Sequence, residues 1–206
     1  MASVCVFCSS AVGIDDRYVE LAAAVGRRLA AGGHRLISGG GRVSMMGAVA
    51  TQSRAGGAHT IGVIPEHLMR YEVADTDADE LLVVDTMRER KALMEAHSDA
   101  FLVLPGGIGT LEEFFEVWTS GSLGMHPKPV VVVDSDAFFA PLWAFLQALT
   151  DQGFVRPSAW NHLWRVTTVE AAFTAIEALD AGRPGRAVRH PGVGEADDHR
   201  PPRRDR

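Results

Sequence analysis

The residues best suited to chemistry lie in two short stretches, MRERK at 87–91 and LPGGIGTLEE at 104–113. In the second, three glycines and a threonine lead directly into Glu112 and Glu113. A glycine-rich turn entering a helix attracts anions, because the first backbone N–H groups of a helix lack partners and point outward. Carboxylates beside such a turn would repel a phosphate, so they need another task. One is structural: Thr110-x-x-Glu113 has the spacing of a capping box, in which Glu113 bonds back to the Thr110 N–H. The other is chemical and depends on the preceding helix. On a 100° wheel, Met87, Leu93, Met94 and His97 share a face with Arg90 in its middle. An always-charged guanidinium on an inward stripe needs an acidic partner or an anionic ligand. On the next helix Glu113 flanks the apolar stripe of Leu111, Phe114, Val117 and Trp118, while Glu112 and Glu116 lie further round. One cleft could hold Arg90, Glu113 and a phosphate on the Gly106–Thr110 amides. A structural Arg90–Glu113 ion pair is the competing reading.

Positioning these residues requires a frame, and the chain supplies one. Apolar runs of strand length (VCVFCSS, HRLIS, HTIGVIP, LLVV, AFLVLP, PVVVV, LWRV) alternate with helical patterns. The helices are expected at Asp16–Ala31, through SMMG to about Ala55, at Thr86–Ser98, after Gly109, near Phe138–Asp151, and at Val169–Leu179. Short apolar strands separated by helices predict an α/β fold, a Rossmann-like parallel sheet with helices on both faces, in one domain over residues 1–180. Residues 181–206 are rich in Pro, Gly and charge, without periodicity, and read as a disordered tail. In such sheets ligands bind at the C-terminal strand ends, where the strand order reverses. Two glycine runs fall at strand ends, Gly39-Gly40-Gly41 and Gly106-Gly107-x-Gly109. Either alone could be a tight turn; two of them, on strands that could be neighbours, favour a nucleotide or phosphate site.

Several chemistries are excluded. The GGGRVS turn has Ser44 where a dinucleotide fingerprint has its third glycine, and HTIGVIP ends without the ribose-binding acid, which argues against NAD. No lysine follows either glycine run, so no Walker A loop is present. The eight histidines show no ligand spacing, so no metal and no cofactor are expected. Cys5-x-x-Cys8 lies in a strand-like run rather than at a helix start, which suggests two buried cysteines and not a redox pair. The 47% hydrophobic and 22% charged residues are ordinary for a soluble globular chain. The tail carries seven Arg against four acids, leaving the body near −9, a poor surface for nucleic acid. No stretch reads as a signal peptide or membrane span, so no membrane partner and a cytoplasmic location are expected.

The two opening stretches also carry a family likeness. MRERK followed by PGGIGTLEE resembles the Lonely Guy (LOG) family of cytokinin riboside 5'-monophosphate phosphoribohydrolases. Met87, Arg90 and Lys91 match its M-x-x-R-K segment. Pro105, Gly106, Gly107, Gly109, Thr110 and Glu113 match P-G-G-x-G-T-x-x-E. The likeness runs from about Ser3 to the last helix; Ser9 and Ser44 stand where many members have Gly. The resemblance implies hydrolysis of the N-glycosidic bond of an adenine-type nucleoside 5'-monophosphate, with Arg90 and Glu113 catalytic. It implies substrate contacts at Glu72, Lys91 and Thr119 and along Gly106, Gly107, Ile108, Gly109, Thr110, Leu111 and Glu112, with Gly40 and Gly41 added from the first turn. It also implies a homodimer, for which the apolar FFEVWTSGSLGM offers a surface.

Rival readings remain at this stage. Relatives have been labelled lysine decarboxylases, yet a Schiff-base lysine must be Lys91 or Lys128, the second between two prolines. A non-catalytic carrier resembling molybdenum-cofactor carrier proteins would keep the glycine turns without needing an Arg–Glu pair. A nucleotide sensor is the third.

Overall fold

In the computed structural model, residues 1–69 and 73–180 are described. The expected tail at 181–206 and Glu72 lie outside those residues. Seven strands form one parallel sheet: β1 (Ser3–Phe7), β2 (Arg35–Ser38), β3 (Thr60–Pro65), β4 (Glu80–Val84), β5 (Ala100–Val103), β6 (Val130–Val133) and β7 (Leu163–Val166). Their order is β4-β3-β2-β1-β5-β6-β7, with every pairing parallel. The chain winds outward from β1 to β4, then returns to the far side of β1 to place β5. The crevice between the ends of β1 and β5 is therefore the switch point of the sheet.

Alternation along each strand assigns residues to two cores. Val4 and Val6 pack with helices α1 (Asp16–Ala31), α2 (Ser44–Ala55) and α6 (Val169–Asp180). Cys5 and Phe7 face the opposite way, toward α3 (Met87–Ala96), α4 (Ile108–Ser122) and α5 (Ala140–Asp151). Cys5 and Cys8 thus lie in different cores, both buried and unbridged. Val130–Val133 are buried on both faces, each valine stabilising by roughly 1.5–3 kcal/mol. Helix ends follow local chemistry. The Asp15 carboxylate caps α1 by accepting from the Arg17 N–H, and Gly33 at φ +65° follows that helix. No helix among the described residues is long and apolar enough to cross a membrane.

Two expectations about local structure need correction. Helix α4 begins at Ile108 with Gly107 as its N-cap and no side-chain cap. Thr110 is therefore inside the first turn and does not cap, so Glu113 is not the acid of a capping box. The capping box stands on α3, where Thr86 and Glu89 exchange bonds. On that helix Arg90 and Met94 are buried, but His97 is an exposed C-cap and Met87 is 38% exposed, so the inward stripe is narrower than the wheel suggests. The apolar FFEVWTSGSLGM stretch divides as well: Phe114, Val117 and Trp118 are core, and of its large apolar side chains only Leu123 and Met125 are strongly exposed.

Candidate active site

A cleft of about 330 Å³ opens at the switch point, a volume suited to a nucleotide-sized ligand. The loop after β1 supplies Cys8 to Ala11, the turn after β2 supplies Gly39, and α3 supplies Arg90. The N-terminal part of α4 supplies Gly107 to Thr110 with Glu112 and Glu113. Met46, Met87 and Met94 give the cleft an apolar, deformable wall.

Arg90 is buried, 4% exposed, and two main-chain carbonyls fix its guanidinium. Its Nε–H donates to Val63 O at 3.1 Å and its Nη2–H to Gly39 O at 2.7 Å. Glycine at position 39 leaves room for this guanidinium. A Cβ there would stand 2.0 Å from Arg90 Nη2 and 3.0 Å from the Met46 methyl. Gly40 follows at φ +73°, in the left-handed region that favours glycine. The carbonyl of Gly40 accepts from the Asp75 N–H at 2.8 Å, and Gly41 forms an isolated antiparallel bridge with Ala74. The expected contacts Gly40 and Gly41 are thus engaged with the chain itself, and Gly39 is the member of this turn that lines the cleft.

The second turn is built differently. A Cβ on Gly106 would meet the Thr110 side chain at 2.1 Å, so glycine lets the buried threonine fold back under the turn. A Cβ on Gly107 or Gly109 would meet nothing within 4 Å. Both line the cleft, and their surroundings are open space at the N-terminus of a 15-residue helix. That is the geometry in which an anion meets free N–H groups and the positive end of the helix dipole.

Glu113 lines both this cleft and a small chamber behind it, shared with Phe7, Lys91, Glu95, Phe101, Glu116 and Val117. Its charge is felt at the cleft floor: burial first, and the Glu113 carboxylate second, push the Cys8 thiol well above its usual range. Cys5 is raised in the same way, burial being the larger cause. Lys91 faces away from the cleft. Its Nζ bonds to Glu112 and, at 2.8 Å, to Glu116, tying α3 to α4. Burial alone would lower its pKa, but those two carboxylates outweigh it and the net direction is upward. Thr119 is exposed farther along α4, and neither it, Gly106 nor Leu111 lines the cleft; Ile108, Gly107, Gly109, Thr110 and Glu112 do.

Sequence reasoning missed the contribution of the β1 loop, where the Ser9 hydroxyl accepts from the Ala11 N–H at 3.1 Å. The signal was available, since the first strand of a doubly wound sheet borders the switch point. It also missed Gly39 as the seat of Arg90, which depends on a contact 51 residues away in sequence.

The profile of a family described as "Possible lysine decarboxylase" matches residues 46–176. A cytokinin riboside 5'-monophosphate phosphoribohydrolase from Mycobacterium tuberculosis is 51% identical over 173 residues, covering 84% of this chain and 92% of its own. A protein of the same name from Rhodococcoides fascians is 40% identical over 177 residues, covering 85% and 87%. Among solved structures, a molybdenum cofactor carrier protein from Chlamydomonas reinhardtii superposes with a TM-score of 0.67 at 18% identity, covering 87% of this chain and 98% of its own. At that identity the likeness is one of fold.

Proposed function

The chain belongs to the Lonely Guy family of cytokinin riboside 5'-monophosphate phosphoribohydrolases, and on that premise we propose how its cleft hydrolyses the N-glycosidic bond of an adenine-type nucleoside 5'-monophosphate. The observation that carries this reading is the pairing of an open helix N-terminus at Gly107–Gly109 with the Glu113 carboxylate one turn further on. The substrate phosphate takes the N–H groups of the turn. The ribose then lies toward Glu113. Glycosidic cleavage passes through an oxocarbenium-like transition state, and a fixed carboxylate stabilises that positive charge and orients the attacking water. Water adds its oxygen to the anomeric carbon as the bond to the base breaks; one of its protons remains on the new hydroxyl and the other ends on the base nitrogen, giving free base and ribose 5-phosphate. Arg90, fixed by two carbonyls, supports the departing base or clamps the ribose phosphate. Glu112 contacts substrate from the α3–α4 wall, which Lys91 braces through its bonds to Glu112 and Glu116; Lys91 and Thr119, which the resemblance assigns to substrate, lie outside this cleft. The acid is there for the sugar, which is why it tolerates a phosphate-binding turn as its neighbour.

The family description as a lysine decarboxylase does not suit the site. Neither lysine lines the cleft: Lys91 is engaged by two carboxylates, and Lys128 Nζ donates to the Glu95 carbonyl at 2.6 Å. We further read the protein as cytoplasmic and as a homodimer, the second supported by Leu123 and Met125, 63% and 73% exposed beyond α4. The acidic body, near −9 without the tail, gives nucleic acid no purchase.

The test is chromatography of products after incubation with AMP, isopentenyladenosine monophosphate and the matching nucleosides. Free base is expected from the monophosphates and not from the nucleosides, because phosphate binding drives the chemistry. Equal turnover of the two would contradict the assignment of the turn.

A further inference from the structure

Arg54 and Asp75 line neither cleft nor chamber, yet they form a tight charged pair among the described residues. Arg54, in the last turn of α2, meets the Asp75 carboxylate with both terminal nitrogens, Nη1 to Oδ2 at 2.7 Å and Nη2 to Oδ1 at 3.0 Å. Asp75 is 2% exposed. A two-pronged pair fixes orientation as well as distance. We propose that Arg54 and Asp75 are positioning residues that set the guanidinium of Arg90 through the Gly39–Gly41 turn.

The route is short and continuous. The Asp75 N–H donates to the Gly40 carbonyl, Ala74 bridges Gly41, and the Arg42 N–H donates to the Val73 carbonyl at 3.0 Å. Residues 73–75 therefore form a strap over the turn. From below, strand β3 presses against it: a Cβ on Gly62 would lie 2.9 Å from the Gly40 Cα. The adjoining carbonyl, that of Gly39, receives Arg90 Nη2, while β3 provides the second acceptor at Val63. One acceptor is thus part of the sheet, and the other is only as well placed as the strap that holds its turn. The strap is itself strained. Val73 sits at φ +46°, a rare conformation for a β-branched residue, kept only where surrounding contacts over-determine it. The paired charges and backbone bonds of the strap are those contacts.

The proposal rests on the reading of Arg90 as catalytic, and the experiment separates the two. In the full chain, the exchange rate of the Arg90 Nε–H is followed by ¹H–¹⁵N spectroscopy, assigned with Arg90→Lys, alongside kcat and KM for AMP. Asp75→Ala is expected to speed Nε–H exchange and to lower kcat by roughly 10-fold or more, with a much smaller change in KM, the response to a misplaced catalytic group. The double variant Arg54→Gln with Asp75→Asn keeps a neutral hydrogen-bonded pair of similar shape and is expected to recover most of both. If Asp75→Ala does not fold, Arg54→Lys, which keeps the charge but loses the fork, is expected to show the same two changes in weaker form. A folded variant with wild-type Nε–H exchange and wild-type kcat would overturn the positioning role. Wild-type protein that releases no base from any nucleotide would overturn the catalytic reading instead.

Discussion

At Gly39 an added side-chain carbon would strike the Arg90 guanidinium at 2.0 Å, whereas at Gly107 and Gly109 it would meet no atom within 4 Å. The two turns follow β2 and β5, the strands that flank β1, at the same end of the sheet, and look alike in sequence. In the first, glycine makes room for the protein's own arginine, and the backbone is taken up by Asp75 and Ala74. In the second, the glycines leave a helix N-terminus open to the cleft. The difference teaches that a glycine run marks close approach, and that only the surroundings say whether the approaching group is part of the chain or a ligand. In the proposed reading the substrate phosphate sits at the second turn, and the first turn aims Arg90.

The comparison breaks most visibly at Gly39. Gly39→Ala should displace the guanidinium and lower turnover on AMP by roughly 10²-fold, since a misplacement near 1 Å costs about that much. Kinetics together with a melting curve will separate this from unfolding. A variant with normal turnover would show that the close approach is unimportant.

Gly109→Ala is the counterpart. Its methyl group clashes with nothing in the protein, and alanine favours a helix by up to about 1 kcal/mol over glycine, so the melting temperature should hold or rise. The methyl enters the space assigned to the phosphate, so KM should rise, by roughly 10-fold for a loss near 1.4 kcal/mol. Unchanged KM would move the phosphate elsewhere.

The smallest effect reports the carboxylate beside the second turn. The Cys8 thiol is held neutral by burial and then by Glu113, so Glu113→Gln should let it ionise at lower pH and speed its alkylation, whereas Gly39→Ala should not. Because Cys5 and Cys8 both have raised pKa values, their neutral preference contributes stability that is full below about pH 8.5, the unfolded thiol value, and is lost as pH rises further. Mass-spectrometric alkylation rates and melts between neutral and alkaline pH will measure both. Equal Cys8 rates in wild type and Glu113→Gln would place that charge away from the cleft floor.

The sheet was legible because its strands are continuous apolar runs, as at Val130–Val133, and because glycine and acidic caps mark helix ends, as at Asp15 and Gly32. The start of α4 was not, since Gly107 caps that helix with no side-chain signal, and Thr110-x-x-Glu113 mimics a box that Thr86 and Glu89 in fact form. Arg90 and Glu113 could be proposed for one cleft from helical spacing alone, and the fold brings both to it. What escaped were contacts between separate elements: Asp75 holding the Gly40 turn, and Glu112 with Glu116 drawing Lys91 from the cleft. Such partners lie 21 to 35 residues apart and leave no periodic trace. Ser44 shows the same limit, because nothing local announces its left-handed φ of +52° or its buried, unpartnered hydroxyl.

The central claim is that the carboxylate beside the open turn acts on the sugar. Its most direct measurement is release of adenine from AMP by Glu113→Gln, with the melting temperature recorded on the same sample. Glutamine keeps the shape and loses the charge, so turnover should fall by roughly 10²–10³-fold, the scale of removing one preorganised electrostatic group, while the protein stays folded. A folded Glu113→Gln protein with wild-type turnover would contradict the claim and leave the turn a phosphate site without a catalytic acid beside it.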